Sequence, residues 1–353
     1  MSTTRIVHLD PKKPDDKQLL AAADIIRDGG LVIVPTETVY GVAADGSNAE
    51  TIRRLIEAKK RPKDKRFSLH IDEKEKLSGM ARDIPTAAFK LADRFWPGPL
   101  TMILKGRQGA TVGVRMPDND IARRVIHLSD VPVVCPSANI SGKPAPKTFQ
   151  DAIRDLDGSV DLALDAGPTS LGSESTVIDL TAQPFTVVRE GAIARNEVLT
   201  VARKKIVLFV CMGNSCRSVM AEALLRDALG KKGRIDVEVL SAGILQSEGM
   251  GASIATAELL RRDGIDVSGH RSRHVTPGLL NKADLVLVME RAHEQHILET
   301  APWVKNRLFL LKEFAKVEGN GLDIPDPIGR SEEFYNQTYA VVKNAVARVA
   351  ELI

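Results

Sequence analysis

Five consecutive apolar residues, Ile206-Val207-Leu208-Phe209-Val210, lead straight into Cys211. A short unbroken apolar run of this kind predicts a strand buried on both faces. Met212-Gly213-Asn214-Ser215-Cys216 follows as a tight polar turn, and Arg217-Ser218 opens an Ala- and Leu-rich helix over Val219 to Leu229. Further buried strands are predicted at Val237 to Leu240 and Ala283 to Met289, with helices at Ala252 to Arg262 and Glu332 to Ile353. Upstream, residues 18–28 carry helical periodicity and stop at Gly29-Gly30. Leu31 to Val34, Met102 to Leu104 and Val131 to Val134 are short buried runs, and a helix is expected from Ala49 to Lys60. Each short run exits into a Gly-, Pro- or hydroxyl-rich segment, the pattern of an α/β protein whose clefts are built from loops. Residues 192–204 carry the weakest pattern between two strong ones, which predicts two domains, 1–200 and 204–353. The first is expected to be an α/β domain on a twisted sheet and the second a Rossmann-like domain on a parallel sheet.

The 353 residues are enough for two ordinary domains. Aromatic content of 4% leaves the cores to Val, Ile, Leu and Ala. Residues 1–200 hold 28 basic and 27 acidic residues, the remainder 21 and 19, so neither half is a polycation and there is no strong nucleic-acid signal. Three cysteines, Cys135, Cys211 and Cys216, make neither a disulfide framework nor a metal-ligand spacing, and no metal site is expected. The N-terminus lacks the apolar core of a signal peptide and no apolar run reaches membrane length. A cytoplasmic protein with no membrane partner is therefore expected.

The Cys211 loop carries a specific chemistry. A strand–loop–helix junction turns backbone N–H groups inward and adds the helix dipole, which together favour an anion. A cysteine held there is expected to have a depressed pKa. Arg217 adds a planar fork for two phosphate oxygens. The expected reaction is attack on phosphorus, giving a phosphocysteine that water hydrolyses. This loop resembles that of the low-molecular-weight protein phosphatases, and Asp326-Pro327-Ile328-Gly329 matches that family's general-acid loop. The resemblance, over residues 205 to 353, implies Cys211 as nucleophile, Arg217 as phosphate clamp and Asp326 as proton donor, with Asn214, Ser218 and Ser241 bracing the loop. It implies a phosphorylated protein as substrate. Ile328 and Ser215 stand where tyrosine phosphatases usually have an aromatic and a bulky apolar residue; a small hydroxyl residue at 215 is more like the protein-arginine phosphatase branch. Arsenate reductases share the loop but need cysteines downstream, and none follows Cys216.

In the first domain, Pro35-Thr36-Glu37-Thr38-Val39-Tyr40-Gly41 is a hydroxyl-rich turn at a strand end, suited to turn chemistry or to a small zwitterion. The helix after it delivers Arg53, Arg54, Lys59, Lys60, Arg61, Lys63, Lys65 and Arg66, interrupted by Glu57 and Asp64, and Pro62 stops it inside the cluster. Cations at an element end suit a polyphosphate. These segments, with Trp96-Pro97-Gly98-Pro99-Leu100-Thr101, Val114-Arg115-Met116-Pro117, Ser137-Ala138-Asn139, Ser175-Thr176-Val177 and Arg189-Glu190-Gly191, resemble the YrdC-like threonylcarbamoyl-AMP synthases over roughly residues 10–200. The resemblance implies that L-threonine, bicarbonate and ATP, with Mg²⁺ entering on the ATP, give threonylcarbamoyl-AMP and pyrophosphate. Downstream tRNA threonylcarbamoyl-transfer proteins would use the product. Lys59, Arg61 and Lys65 would face the triphosphate; Ser137, Asn139 and Arg189 would hold the nucleotide, with Thr111 near it; Thr38 (or Thr36), His70, Arg115 and Ser175 would sit near threonine. Arg66-Phe67-Ser68-Leu69 departs from the family's proline-leucine pair, which implies a local loop change. Some relatives carry an additional C-terminal domain where the phosphatase-like domain lies here. A reading in which one domain is silent, binding RNA or serving regulation, is the alternative.

Cys216 makes one prediction. Peroxide oxidises Cys211 to a sulfenic acid, and the Cys216 sulfur displaces water to form a disulfide that added thiol reduces. Peroxide inactivation of phosphatase activity is expected to be reversible by thiol, and a Cys216→Ser protein that recovers equally well would contradict this.

Overall fold

The computed structural model describes residues 3–62, 65–107, 109–317 and 321–353. The chain divides into two compact units, Met1–Ala202 and Arg203–Ile353. Among the described residues, the first unit holds β1 (Arg5–His8), β2 (Val32–Val34), β3 (Gly41–Asp45), β4 (Ser68–His70), β5 (Leu100–Lys105), β6 (Thr111–Arg115), β7 (Val133–Val134), β8 (Leu162–Asp165), β9 (Thr176–Asp179) and β10 (Thr186–Arg189). They form one mixed sheet in the order β1-β8-β2-β3-β7-β4-β6-β5-β9-β10. The outermost strands, β1 and β10, are mostly exposed, which is why they leave no apolar run in the sequence.

Helices Asp16–Arg27 and Asp120–Ser129 bury Leu19, Ile26, Ile121 and Val125 with β2, β3, β7 and β8. Helix Ala49–Lys59 starts at Asn48, whose side chain accepts from Glu50 N and Thr51 N, and ends at Lys60 in the left-handed region, φ 47°. That turn redirects the chain just before β4. The weakly patterned 192–204 stretch contains the helix Arg195–Arg203, of which only Val198 and Ala202 are buried, in the first unit's core.

The second unit is built on β11 (Lys205–Cys211), β12 (Val237–Gly243), β13 (Leu285–Val288) and β14 (Leu308–Leu310), all parallel, in the order β12-β11-β13-β14. The strand order reverses at β11, whose C-terminal end is therefore the crevice of an open α/β sheet. Cys211 is the last residue of β11 and opposes Gly243 of β12. Helix Arg217–Lys231 is buried on most of its surface between the sheet and the terminal helix Glu332–Leu352, through Met220, Leu224, Leu225, Val342 and Val346. The fold class agrees with the α/β expectation. No helix among the described residues is long and apolar enough to cross a membrane.

Phe209 is fully buried on β11, between the two neighbouring strands. Phe209→Ala is expected to destabilise the second unit by about 3–5 kcal/mol. In denaturant titrations followed by hydrogen exchange, peptides of residues 203–353 should lose protection at lower denaturant while those of the first unit keep theirs.

Candidate active sites

A cavity of about 370 Å³ in the first unit is lined by the segments flanking the central strands. Lys59, Arg61 and Lys65 come from the end of helix Ala49–Lys59, His70 and Arg115 from the ends of β4 and β6, and Ser137 and Asn139 from the loop after β7. Thr36, Ser175 and Arg189 also line it, whereas Thr38 and Thr111 do not. The sheet register explains the convergence. His70 and Arg115 are parallel partners, and Thr101 opposes Arg115 on the other side.

Arg115 is 6% exposed, so its charge needs internal acceptors. Its Nη2 donates to Glu37 Oε1 at 2.6 Å and to Thr38 Oγ1 at 2.8 Å. Thr38 thus lies under the cavity wall, fully buried, and supports the arginine, whereas Thr36 lines the cavity. Burial, reinforced by the Arg115 charge, pushes His70 down to about 3. Its Nδ1 lies 3.3 Å from Ser68 O, which assigns the proton there and leaves Nε2 a buried acceptor without a partner among the described residues. Thr101 Oγ1 lies 2.9 Å from Ser175 Oγ, which also accepts from Arg189 Nη2 at 2.9 Å; Arg189 Nη1 reaches Glu174 at 2.7 Å. Gly41 is required by crowding, since a Cβ there would sit 2.4 Å from Cys135 Sγ.

Two expected residues are placed differently. Thr111 is exposed and absent from the cavity wall; its carbonyl accepts from Arg66 Nη1 at 2.9 Å. Lys59 borders the cavity but is only 1% exposed, and its Nζ donates to the carbonyls of Ser137 and, at 2.7 Å, Asn139. The basic cluster also divides. Arg53 pairs with Glu50 and Glu57 on a solvated helix face, and Arg54 pairs with Asp161. Arg61 donates to Lys65 O and Arg66 O and lies over the Phe67 ring at 4.6 Å, contacts made by the Arg66-Phe67 departure. Lys63 and Asp64 lie outside the described residues. Elsewhere in the unit, Asp72, Glu73 and His127 bring ligand-type atoms within 4.8 Å of one another, but the Lys76 ammonium lies 2.6 Å from Asp72 Oδ1, a poor setting for a cation.

In the second unit, Cys211 Sγ lies 3.0 Å from Ser218 Oγ. Asn214, at φ 52°, donates from Nδ2 to Ser218 Oγ at 3.0 Å and to Ser241 Oγ at 2.8 Å, and accepts from Arg273 N at 3.0 Å. Ser241 in turn donates to Glu222. Asn214 thus locks the loop in a backbone conformation uncommon outside glycine. A Cβ at Gly243 would come within 2.9 Å of Asn214 N, so only glycine lets β12 pass the loop. Arg217 is 1% exposed; its Nη1 donates to Glu290 Oε2 and Ile324 O, both at 2.7 Å, and its Nη2 to Asp326 Oδ2 at 2.6 Å. Its buried Nε has no partner among the described residues. Ser215 makes one weak side-chain contact, 3.6 Å to Cys216 Sγ, so it lines the loop more than it braces it. Cys216 contacts Ser253 Oγ at 3.3 Å and Tyr335 OH at 3.6 Å. Burial and the Arg217 charge hold the fully buried His293 down to about 4.

Sequence reasoning missed Glu290, Glu222 and the structural role of Thr101. Glu290 stands two residues beyond β13, the strand-end position where site residues gather, and Glu222 follows Ser218 by one helical turn. Thr101 ends a quoted motif without a role.

Fold and geometry thus define an α/β protein with a cation-lined cleft in one unit and a cysteine–arginine cradle in the other. A family model described as Telomere recombination, for the Sua5, YciO and YrdC proteins, matches residues 24–191. The model for low molecular weight phosphotyrosine protein phosphatase matches residues 206–353. The chain is 42% identical over 193 residues to a threonylcarbamoyl-AMP synthase of Pyrococcus abyssi, covering 52% of this chain and 57% of that protein. It is 37% identical over 142 residues to a probable low molecular weight protein-tyrosine-phosphatase, EpsP, of Ralstonia solanacearum, covering 40% of this chain and 91% of that protein. A solved structure of P. abyssi Sua5 complexed with L-threonine matches at 26% identity and TM-score 0.54, over 98% of both chains. The chain spans 57% and 58% of the length of the first curated synthase relatives it matches. It belongs to two families at once, the Sua5–YciO–YrdC family through its first unit and the low molecular weight protein phosphatase family through its second.

Both depressed histidines are neutral in the folded chain, whereas the unfolded chain takes up protons near the ordinary 6.5. Their contribution to stability is therefore full above pH 6.5 and declines as pH falls toward about 4 for His293 and about 3 for His70. Between pH 7 and pH 5 the loss is on the order of 2 kcal/mol per histidine. Chemical denaturation at the two pH values should show a smaller loss for the first unit in His70→Gln; an unchanged difference would contradict the assignment.

Proposed function

We propose that the chain is a bifunctional enzyme: a threonylcarbamoyl-AMP synthase in its first unit and a cysteine-dependent protein phosphatase in its second. What carries the reading is convergence: residues far apart in sequence meet in each unit around a buried guanidinium, Arg115 in one and Arg217 in the other. In the first unit, threonine's carboxylate would meet Arg115, and its ammonium or hydroxyl the His70 Nε2 acceptor and the Thr36 and Ser175 hydroxyls. The threonine nitrogen bonds to the bicarbonate carbon as one C–O bond breaks and water leaves, giving the carbamate. The carbamate oxygen attacks the α-phosphorus of ATP, the bond to pyrophosphate breaks, and threonylcarbamoyl-AMP forms. Arg61, Lys65 and Arg189 line the cavity as the cations for the phosphates, with Ser137 and Asn139 at the nucleotide and Mg²⁺ arriving as part of the ATP substrate. With no general base among these residues, their contribution is positioning and charge stabilisation. The product would pass to tRNA threonylcarbamoyl-transfer proteins in the cytoplasm.

In the second unit the Cys211 sulfur attacks phosphorus while Arg217 holds the equatorial oxygens. A bound phosphate has to draw the guanidinium donors from Asp326 and Glu290, and the carboxyl group of Asp326 is then placed to give a proton to the leaving group and take one from the water that cleaves phosphocysteine. The substrate is a protein phosphotyrosine or phosphoarginine, with Ser215 and the exposed Ile328 at the site that distinguishes them.

The test is a paired assay on the purified chain. Threonine- and bicarbonate-dependent release of pyrophosphate from ATP is expected and should be unaffected by Cys211→Ser. Phosphate release from phosphotyrosine and phosphoarginine peptides is expected, should fall by roughly 10⁴-fold or more in Cys211→Ser, and should persist in Arg115→Ala. Absence of threonine dependence would overturn the first half, and phosphatase activity surviving Cys211→Ser would overturn the second.

A further inference from the structure

The K-x-R spacing places Lys59 beside Arg61, but the two side chains do different things. The left-handed turn at Lys60 leaves Arg61 on the cavity wall, where two of its five N–H donors go to the Lys65 and Arg66 carbonyls and the rest stay available, while Lys59 turns inward. An ammonium has three donors. Those of Lys59 include bonds to two carbonyls of a single loop, Ser137 O and Asn139 O. The same loop is fixed to the same lysine through the backbone, because Ser141 N donates to Lys59 O at 2.8 Å. Within the loop, Ser137 Oγ donates to Asn139 Oδ1 at 2.6 Å and Asn139 Nδ2 donates to Lys143 O at 2.6 Å. The side chains that line the cavity are thereby held in one arrangement. Residues 136–142 lack regular secondary structure, apart from the bridge between Ser137 and Gly41, so few ladder bonds compete with this attachment.

We propose that Lys59 is the tether of the 137–141 loop, a positioning residue that presets Ser137 and Asn139 for the nucleotide and is not itself a phosphate ligand. The role in nucleotide binding rests on the synthase reading; the tether does not. Burial supports it, since an ammonium at 1% exposure persists only where acceptors surround it. Burial, then the Arg61 charge and more weakly that of Lys65, outweigh the opposing influence of Cys135 and Asp155 and draw Lys59 down to about 8, so the tether weakens as pH rises through that value and the charge is lost.

The experiment is amide hydrogen exchange on the full chain without nucleotide, read at residues 138–141, together with steady-state kinetics in ATP. The amides of Ala138, Asn139, Ile140 and Ser141 all have acceptors, so loosening of the loop is visible at each. Lys59→Met keeps an apolar stem and removes the ammonium. It is expected to raise exchange at 138–141 by roughly tenfold or more, to raise KM for ATP by a similar factor, and to change kcat far less. Lys65→Met, on the exposed rim, is expected to raise KM for ATP with no change in exchange at 138–141. Should Lys59→Met fold poorly, the unmodified chain gives the same answer: protection at 138–141, corrected for intrinsic exchange, should fall between pH 7 and pH 9. Weakened ATP binding in Lys59→Met with unchanged exchange would make Lys59 a direct phosphate ligand and overturn the proposal, and so would protection that stays flat across pH 8. If the unmodified chain shows no ATP turnover, the synthase reading fails while the exchange arms still decide the tether.

Discussion

A buried cation must be surrounded by acceptors or it is too costly to keep, and both sites follow from that constraint. Lys59 and Arg217 are each 1% exposed and Arg115 is 6% exposed. Replacing their hydration requires carboxylates or carbonyls fixed at bonding distance, and the residues that provide them come from strand ends and loops far apart in the sequence. Glu37 and Thr38 serve Arg115; Glu290, Ile324 O and Asp326 serve Arg217; the carbonyls of Ser137 and Asn139 serve Lys59. The partners define the clefts. Each guanidinium is thereby oriented before any ligand arrives, although at Arg217 an incoming anion has to take over donors now given to Glu290 and Asp326.

The two units reach this arrangement through different sheets. In the second, four parallel strands reverse order at β11, and the crevice at its end receives the helix N-terminus, the cysteine and the arginine from one contiguous segment. In the first, three antiparallel pairs from β2 to β4 are followed by β4-β6 parallel and β6-β5 antiparallel, so His70, Arg115 and Thr101 are brought into one row by register and not by proximity in the chain.

That difference explains what could be read in advance. The Cys211 loop was legible because strand, turn and helix are contiguous and each has a local signal. Asp326 was legible as part of an Asp-Pro turn ahead of a long helix. Glu290 was not, because its function exists only through a contact with Arg217, 73 residues away. Lys59 was legible as a site residue, but its direction was not: spacing does not reveal that a left-handed Lys60 turns it away from Arg61. Thr111 was misplaced because a hydroxyl at a strand start carries no signal for which end of the strand faces the cavity. The strands β1 and β10 were missed because exposed edge strands show no apolar run.

The central claim is that each unit holds its own anion site around its own buried cation. Titration calorimetry of the full chain with magnesium-ATP and with inorganic phosphate tests it most directly. The account predicts one ATP bound per chain with affinity little changed by saturating phosphate, and phosphate binding that disappears in Arg217→Ala while ATP binding remains. Phosphate binding that survives Arg217→Ala, or phosphate that displaces ATP from a single shared site, would contradict it.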